Sequence, residues 1–404
     1  MKIEIEKLDH FARGITKIGE KICFVENALP NEIVEIDNIK EKKKYFEAST
    51  KHIIKESKDR IKTLCKYYNI CGGCNIEHLN YEVENIYKKE KLVELITHHT
   101  DLNKDIIKDT IYDKEYYYRN KIVLHVKDGK LGLFERKTNK LIEIDECLLV
   151  NNKINEVISF LKNINNLKDI EQVTIKVGNK TNEVMLIIKG DLKEYLSLLE
   201  IVDVLIINNK VLSNKSSILS YIGDKKYYIS ENSFFQVNEK ITEKLYNKIK
   251  DEIESYNVNN VLDLYCGTGT IGIYICEKVN KVLGIEIVED GIKDAIRNKE
   301  LNNIENIDFK VGKVEELIND IEDDYSSVIV DPPRSGLDNK VIKYLNTKIK
   351  DLIIYVSCDP NTLVRDLKLL EENYKVLELT PYNMFPRTYH VECISVLERK
   401  NVEK

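Results

Sequence analysis

The sequence contains no tryptophan, no internal repeat, no low-complexity tract and no long apolar run. The last absence sets a first limit, because a membrane-spanning helix needs roughly 18 or more consecutive apolar residues. The N-terminal stretch MKIEIEKLDHFARG has charged residues where a secretory signal would need an uninterrupted apolar core. We therefore expect a cytoplasmic protein that makes no membrane contact.

An excess of positive charge is also missing, since 62 lysines and arginines stand against 68 aspartates and glutamates. The net charge of −6 argues against a uniformly basic nucleic-acid-binding protein, but it does not exclude a local basic patch. Such a patch occurs between residues 40 and 66; its basic members are Lys40, Lys42, Lys43, Lys44, Lys51, Lys55, Lys58, Arg60, Lys62 and Lys66. The patch is either a solvated surface or a contact for nucleic acid.

The length of 404 residues predicts two or three domains with chain enough for a substantial core. In the first sixty residues, the strand-like runs KICFVEN, EIVEIDNIK and YFEASTKHIIKE are separated by turn signals such as Arg13-Gly14 and Leu29-Pro30. This pattern is typical of a small β-barrel of the oligonucleotide-binding kind.

The rest of the chain changes character twice. A helical pattern runs from Ile76 to about Ile107, and a mixed region with the strands NKIVLHV, VTIKV and VMLIIKG follows. From Ser233 onward, helices alternate with apolar strands, which predicts a parallel, doubly wound sheet.

Nine cysteines in a reducing compartment are more often metal ligands, nucleophiles or core residues than disulfides. Three of them, Cys65, Cys71 and Cys74, lie within ten residues with the spacing Cys-x5-Cys-x2-Cys. Three thiolates leave a zinc ion or a 4Fe-4S cluster one ligand short. A radical S-adenosylmethionine enzyme would instead need Cys-x3-Cys-x2-Cys.

The segment VLDLYCGTGTIGIYI predicts a buried strand, a glycine turn and a helix, with Gly267, Gly269 and Gly272 spaced as G-x-G-x-x-G. This motif alone fits a dinucleotide site as well as an S-adenosylmethionine site. Asp263, just before the loop, favours the latter. Glu286, at the end of the next strand, could accept hydrogen bonds from ribose hydroxyls of either ligand.

Three further residues point to chemistry at the same sheet edge. Asp331 in SSVIVDPPRSGL ends a predicted strand, where open α/β sheets bind ligands. Cys358 ends the next strand, directly before a predicted helix start at Asp359-Pro360, whose N-terminus would stabilise a thiolate. In PRTYHVECISVLER, we predict a strand on which His390 and Glu392 share one face, and the carboxylate could act as a base.

The motifs LDLYCGTGTIG, VDPPRSGL, VSCDPNTLVRDL and HVECISVLE together resemble the RNA uracil-C5-methyltransferase family, which makes 5-methyluridine in ribosomal and transfer RNA. The resemblance extends over nearly the whole chain. It implies that Cys358 is the nucleophile and Glu392 the base. It also implies S-adenosylmethionine as cofactor, with contacts from Gln236, Tyr265, Gly267, Gly269, Thr270, Glu286, Lys313 and Asp331. Two positions depart from the family: Thr270 replaces a frequent Asn, and Lys313 replaces a frequent carboxylate or amide.

The resemblance also supplies a fourth cysteine, because Cys147 in EIDECLLV falls where the family has the last ligand of its iron-sulfur site. Three clustered ligands and one remote ligand favour a 4Fe-4S cluster over zinc. By resemblance, residues 1–58 form a TRAM-like barrel, and 59–76 with 109–232 form a central iron-sulfur and RNA-binding domain. Residues 77–108 with 233–404 then form the catalytic class I methyltransferase domain.

We therefore expect a monomeric enzyme that methylates uridine at carbon 5 in RNA through a covalent cysteine-uracil adduct. Barrel and cluster together favour 23S ribosomal RNA, and transfer RNA is the alternative substrate. Two other classes remain open: a dinucleotide-dependent or other redox enzyme, and a non-catalytic RNA-binding or folding factor. The joint presence of Cys358 and Glu392 argues against both.

Overall fold

A six-stranded sheet occupies the N-terminal part of the computed structural model, which describes residues 1–164, 167–193, 195–322 and 324–400. Its strands are β1 (Lys2–Glu4), β2 (Lys7–Leu8), β3 (Gly14–Ile18), β4 (Lys21–Glu26), β5 (Ile33–Glu41) and β6 (Tyr45–Lys55). They pair in the order β1-β5-β6-β4-β3-β2. Alternate residues such as Cys23, Val25 and Val34 are buried in a small apolar core, as expected for strands with one face covered.

The two ends of this strand order belong to one continuous segment, residues 2–8. Its first half pairs with β5, and the Ile5 amide donates to the Glu32 carbonyl at 2.9 Å. Its second half pairs with β3, and the Glu6 amide donates to the Ile15 carbonyl at 2.8 Å. Among the described residues no strand pairing joins β1 to β2. The predicted closed barrel therefore stays a prediction.

The middle of the chain forms helix α1, a second sheet and a hairpin. The elements are α1 (Tyr81–His99), β7 (Lys121–Lys127), β8 (Lys130–Phe134), β9 (Leu141–Glu143), α2 (Asn152–Lys162), β10 (Ile170–Val177), β11 (Val184–Gly190), β12 (Val204–Ile207), β13 (Lys210–Val211), β14 (Ile218–Ile222) and β15 (Lys225–Ile229). The sheet order is β13-β12-β11-β10-β7-β8-β9, and β14 pairs with β15 alone. Helix α2 covers the sheet through Ile154, Ile158 and Leu161.

The C-terminal part is a mostly parallel sheet with helices packed against it. Its elements are α3 (Glu239–Ser255), β16 (Asn260–Leu264), α4 (Thr270–Ile275), β17 (Lys281–Glu286), α5 (Glu289–Leu301), β18 (Ile307–Val311), α6 (Val314–Leu317), β19 (Ser327–Val330), α7 (Asn339–Lys348), β20 (Leu352–Ser357), α8 (Pro360–Leu370), β21 (Tyr374–Tyr382) and β22 (Glu392–Arg399). The order is β18-β17-β16-β19-β20-β22-β21. The first five strands are parallel, and β22 is antiparallel to both of its neighbours, β20 and β21. The final four residues of the predicted catalytic segment, 401–404, lie outside the described residues.

Helix α1 packs against this C-terminal sheet although it precedes the middle sheet in sequence. Leu92, Leu95 and Ile96 share a core with Leu363 and Leu397. A network of buried charges reinforces the contact: the Glu84 carboxylate lies 3.1 Å from the Lys88 ammonium and 3.5 Å from the Arg387 guanidinium. These three side chains are at most 1% exposed. The network holds the segment 383–390, which connects β21 to β22.

Segment 383–390 corrects one sequence prediction. His390 was predicted on the same strand as Glu392, but β22 begins only at Glu392. The chain turns before that point, where Arg387 has a φ of 67°. No helix in the described part of the chain has both the length and the apolar character needed to cross a membrane.

Candidate functional site

A cavity of about 740 Å³ opens at the carboxyl ends of the parallel strands of the C-terminal sheet. All the residues predicted for catalysis and cofactor binding line it, with the exception of Gly269. Those that line it are Gln236, Tyr265, Gly267, Thr270, Glu286, Lys313, Asp331, Cys358 and Glu392. Residues separated by more than a hundred positions in sequence therefore meet at one site, as the doubly wound topology requires.

The glycines of the loop after β16 serve different purposes. Gly267 has a φ of 55°, and a Cβ placed on it would meet no atom within 4 Å, so its backbone faces open space in the cavity. Gly269 has a φ of 71° and precedes α4, but a Cβ there would come within 2.7 Å of the Phe309 ring. Gly267 therefore leaves room for a ligand, whereas Gly269 permits close packing behind the loop.

Asp263 supports the loop from below and does not line the cavity. One carboxylate oxygen, Oδ2, accepts a hydrogen bond of 2.9 Å from the Gly272 amide. The other, Oδ1, has no hydrogen-bond partner among the described residues. Burial raises the pKa of Asp263 to about 7, and the nearby negative charges of Asp331 and Glu286 contribute to the increase. The Gly272 hydrogen bond acts in the opposite direction.

Glu286 is held at the mouth of the cavity by two backbone amides. Its Oε2 accepts from the Gly267 amide at 3.1 Å, and its Oε1 accepts from the Val288 amide at 2.8 Å. This fixes the carboxylate beside the glycine loop with lone pairs still available. Carboxylate oxygens in such a position can accept hydrogen bonds from ligand hydroxyls.

Tyr265 and Lys313 line another part of the wall. Tyr265 has a φ of 64°, which is uncommon for a bulky residue and frequent at ligand sites. Its hydroxyl donates to Glu315 at 3.3 Å, whereas the Lys313 ammonium turns to Glu316 at 2.9 Å. Glu315, two residues after Lys313, therefore places a carboxylate in this wall.

The segment 230–236, which carries Gln236, is held from both sides. The buried Lys176 ammonium on β10 donates to the carbonyls of Ser230, Glu231 and Ser233 at 2.9, 2.8 and 3.2 Å. From α5, the Asp294 carboxylate accepts from the Ser230 hydroxyl at 2.6 Å and also from the Ser233 hydroxyl. Burial lowers the pKa of Lys176 to about 7, with a further contribution from the charge of Lys121.

Cys358 and Glu392 lie at the same end of the β20–β22 pair, since Ser357 pairs with Cys393 in the antiparallel register. Burial, followed by the charges of Glu392 and Asp331, raises the pKa of Cys358 to about 11. Burial and the charge of Asp331 hold the pKa of Glu392 well above its ordinary value. Arg334 opposes both shifts. The N-terminus of α8 does follow Cys358, as predicted, but its surroundings favour the thiol over the thiolate.

Sequence reasoning missed several residues that line the cavity. Arg334 lies within the segment VDPPRSGL, which was an available signal, whereas nothing in the sequence distinguishes Glu315 from its neighbours. Phe234, Asn232 and Phe385 carried no comparable pattern. His390 lines the cavity as well, and burial lowers its pKa to about 4, so the ring is neutral at pH 7.

The four predicted ligand cysteines are all free thiols that influence one another. Burial raises the pKa of Cys74 well above its usual value, and the charges of Cys147, Cys65 and Cys71 contribute. The Cys71–Cys74 loop contacts the β8–β9 connection, where the Gly72 amide donates to the Phe134 carbonyl at 3.1 Å. Within the described ranges, however, no group of three or more His, Cys, Asp or Glu side chains is arranged to hold a metal ion.

Comparison with known proteins places this arrangement among RNA-modifying enzymes. Residues 207–400 match the family model described as tRNA (Uracil-5-)-methyltransferase. The chain is 34% identical to an uncharacterized RNA methyltransferase of Clostridium acetobutylicum, over 98% of this chain and 96% of the relative. It is 31% identical to another from Halalkalibacterium halodurans, over 99% and 97% of the two chains.

One solved structure is similar over the full length. It is the tRNA (uracil-54, C5)-methyltransferase of Pyrococcus abyssi in complex with S-adenosyl-L-homocysteine. The TM-score is 0.79 and the sequence identity 26%, and the match covers 98% of this chain and 100% of that one.

Proposed function

Since this chain belongs to the RNA uracil-C5-methyltransferase family, we propose that it transfers a methyl group to carbon 5 of uridine in RNA through a covalent adduct with Cys358. The observation that carries the proposal is that a candidate nucleophile, a candidate base and most of the predicted cofactor contacts line one cavity. S-adenosylmethionine, when bound, supplies the electrophilic methyl group.

The chemistry assigns different steps to the two catalytic residues. The Cys358 thiolate forms a bond to carbon 6 of the uracil, and the electrons of the double bond shift to give an enolate. Carbon 5 of this enolate then takes the methyl group, whose bond to the sulfonium sulfur breaks, and S-adenosylhomocysteine leaves. Carbon 5 then carries both a proton and the new methyl group. Glu392, as carboxylate, takes that proton, the double bond reforms, and the bond from sulfur to carbon 6 breaks.

The raised pKa of Glu392 suits its role as a base, whereas the raised pKa of Cys358 favours the thiol over the thiolate that the reaction needs. A raised pKa makes the Glu392 carboxylate a stronger base once it is ionised, so it retains the proton that it removes. Arg334 offsets the burial of both groups and favours the two anions that the reaction needs. Because the target base must leave any stack to reach Cys358, the enzyme must also bind a loop or flip the nucleotide.

The cofactor contacts follow from the geometry of the walls. We assign Glu286 to the ribose hydroxyls, and the open backbone at Gly267 to close approach of the ligand. Tyr265, Thr270, Lys313 and Asp331 complete the wall, with Glu315 added to the set. Gln236 contributes from the segment anchored by Lys176. Gly269 does not line the cavity, and we assign to it the close packing of the loop against Phe309.

Two variants test the mechanism, because their predicted defects fall at different steps. Cys358→Ala should abolish methyl transfer and form no adduct. Glu392→Gln should still add sulfur and accept the methyl group, since both precede proton loss, so protein should accumulate covalently bound to RNA. A denaturing gel would show a retarded, methyl-labelled band for Glu392→Gln alone. Cys276→Ser, a buried cysteine outside the cavity lining, is the control. Activity in Cys358→Ala would refute the nucleophile assignment.

We also propose a 4Fe-4S cluster held by Cys65, Cys71, Cys74 and Cys147. Support comes from the donor chemistry: four free thiols affect one another's pKa values, and thiolates are the ligands of such clusters. No catalytic step passes through it. Anaerobically purified protein should be brown with about four irons per chain, and Cys147→Ser should lose that iron. Colourless protein with one zinc would contradict the assignment.

The domain division remains part of the proposal. Residues 1–58 would form a TRAM-like barrel, supported by the segment 2–8 that pairs with both β5 and β3. The assignment of 77–108 to the catalytic domain with 233–404 is supported by the packing of α1 on the C-terminal sheet. Residues 59–76 and 109–232 would form the central domain.

The basic patch gives the test for RNA binding by the N-terminal domain. Lys42, Lys43 and Lys44 lie exposed between β5 and β6. Replacing all three by Gln should weaken RNA binding and lower its dependence on salt, because each phosphate contact to single-stranded RNA contributes about 0.7 to the slope of log affinity against log salt. The exposed Lys340, Lys343 and Lys348 on α7 are the matched control set.

Two RNA substrates merit separate tests. The combination of barrel and cluster resembles the 23S ribosomal RNA members of the family, which we propose first. Transfer RNA is the second candidate, favoured by the full-length likeness to the Pyrococcus abyssi enzyme. Methyl transfer to unmodified transcripts of each RNA, measured separately, decides between them.

A further inference from the structure

An unbroken series of ring contacts leads from the N-terminal sheet into the cavity. The Phe11 and Tyr389 rings meet edge to face at 5.4 Å between centroids. Tyr389 lies 4.4 Å from the His390 ring, which lies 6.0 Å from the Phe385 ring. His390 and Phe385 line the cavity. Phe11 is therefore the outer end of a path that reaches the proposed catalytic site.

Cations accompany the rings along this path. The Arg13 guanidinium lies 5.5 Å from the Phe11 centroid, and the Lys91 ammonium lies 5.6 Å from that of Tyr389. Exposed Arg334 stands at the inner end, in the cavity wall. Arg13 is ion-paired with Asp9 at 2.7 Å and Lys91 is buried, so Arg334 provides the charge that is open to a ligand. An exposed aromatic ring near positive charge is a combination that single-stranded nucleic acid binds.

Phe11 is exposed although hydrogen bonds fix the turn that carries it. Its side chain is among the large apolar ones left open, with 52% of the residue accessible. The Asp9 carboxylate accepts from the amides of Phe11 and Arg13 at 2.9 and 2.7 Å. The Tyr87 hydroxyl of α1 donates to the Asp9 carbonyl at 2.8 Å. Asp9, Arg13 and Tyr87 thus fix the turn that exposes the Phe11 ring to solvent.

We propose that Phe11, supported edge to face by Tyr389, stacks a base of single-stranded RNA adjoining the target uridine. The inference rests on the proposed function, because the occupant is the RNA whose uridine enters the cavity. Extruding a base breaks its stacking with its neighbours in the RNA. The Phe11 ring replaces that stacking for the neighbouring nucleotide, and this lowers the cost of presenting uridine to Cys358.

The absence of tryptophan from the chain provides a direct probe. Phe11→Trp places a single tryptophan at the outer end of the path. Unmodified RNA should quench its fluorescence, with a midpoint equal to the dissociation constant from filter binding, because a stacked base quenches indole emission. Leu196→Trp, at a position that is 73% exposed and outside the path, is the control and should not respond.

A second variant measures the contribution of the ring. Phe11→Ala should bind RNA roughly fivefold or more weakly, the low end of the effect of removing one base-stacking ring. Its affinity for S-adenosylhomocysteine and its thermal unfolding should match wild type, and Phe11→Tyr should restore RNA binding.

The outcomes separate this inference from the proposed reaction. Unchanged Phe11→Trp fluorescence at RNA concentrations that saturate the protein overturns the stacking, and so does wild-type RNA affinity in Phe11→Ala. If RNA quenches Phe11→Trp while wild type transfers no methyl group to RNA, the stacking holds and the proposed reaction fails.

Discussion

The thiol of Cys358 is subject to charges of both signs. Glu392 and Asp331 raise its pKa together with burial, and Arg334 lowers it. At pH 7 the residue is therefore predominantly a thiol, and the protein controls its reactivity through its neighbours. The sequence motif VDPPRSGL contains Arg334, but the motif alone gave no role for this residue.

This balance predicts opposite effects for two substitutions. Arg334→Gln removes a positive charge, raises the pKa of Cys358 further and should slow its alkylation by iodoacetamide roughly tenfold at pH 7. Glu392→Gln removes a source of negative charge and should speed alkylation. The wild-type rate should rise with pH toward a pKa of about 11, because only the thiolate reacts.

Mass spectrometry of the Cys358 peptide between pH 7 and 10.5 measures these rates. Lys343→Gln removes an equal charge from an exposed site on α7 and serves as the control. Equal rates for Arg334→Gln and wild type would show that Arg334 does not act on the thiol.

The sequence motifs predicted which residues belong to the site, but they did not always predict the structural role of each residue. Cys358 and Glu392 were selected from local sequence, and both line the cavity as expected. Gly267 and Gly269 look alike in the motif, yet only the fold brings Phe309 against one of them. Glu315 could not be chosen over position 313 because the choice depends on the direction of a side chain.

At the scale of elements, the segment 230–236 joins two parts of the molecule. Lys176 comes from the middle sheet and Asp294 from the C-terminal one. Their separation in sequence, and the lack of a motif around Lys176, explain why this support could not be anticipated. Movement of the middle sheet would be transmitted to Gln236 and Phe234 in the cavity wall.

Loss of the Lys176 ammonium should weaken cofactor binding. Lys176→Met removes three hydrogen bonds from the segment, and we expect roughly tenfold lower affinity for S-adenosylhomocysteine by calorimetry. In wild type, the charged form dominates below the pKa of about 7, so affinity should decline as the pH rises through that value. Lys176→Met should lack this decline.

Lys127→Met, on the exposed end of β7, is the matched control and should bind the cofactor like wild type. If Lys176→Met binds the cofactor with unchanged affinity at every pH, the hydrogen bonds from Ser230 and Ser233 to Asp294 suffice to hold the segment.

Strand prediction succeeded where one face or both faces are apolar. VMLIIKG corresponds to β11, and the predicted helix start at Asp359-Pro360 is the N-terminus of α8. It failed at His390, because the left-handed backbone of Arg387 is fixed by contacts with Glu84, about three hundred residues away. Local pattern carries no information on such contacts.

For the whole molecule, the buried charges around Glu84 connect α1 to the segment that carries Phe385 and His390. Glu84 accepts from the Asn383 amide and from the Arg387 backbone amide, both at 3.0 Å, besides its ion pairs. Periodicity placed α1 but gave no indication that charged residues would lie in its most buried face. The charged side chains of α1 can be buried only because segment 383–390 packs against them and supplies their partners.

Glu84→Gln should destabilise the whole protein. The change leaves Lys88 as an uncompensated buried charge, while Arg387 keeps its ion pair with Glu115. We expect the free energy of unfolding in urea to fall by about 3–5 kcal/mol. Glu90→Gln lies on the exposed face of the same helix and should change it by less than about 0.5 kcal/mol. A drop in Glu84→Gln no larger than in this control would show that the network tolerates a neutral centre.

The segment 2–8 has a consequence for assembly in the cell. Exposed strand edges are templates on which other chains add their own strands. In this protein a single short segment covers the edges of both β5 and β3. Proteolytic loss of those few residues would therefore uncover two templates at once, and a clipped chain would be prone to join others of its kind into aggregates.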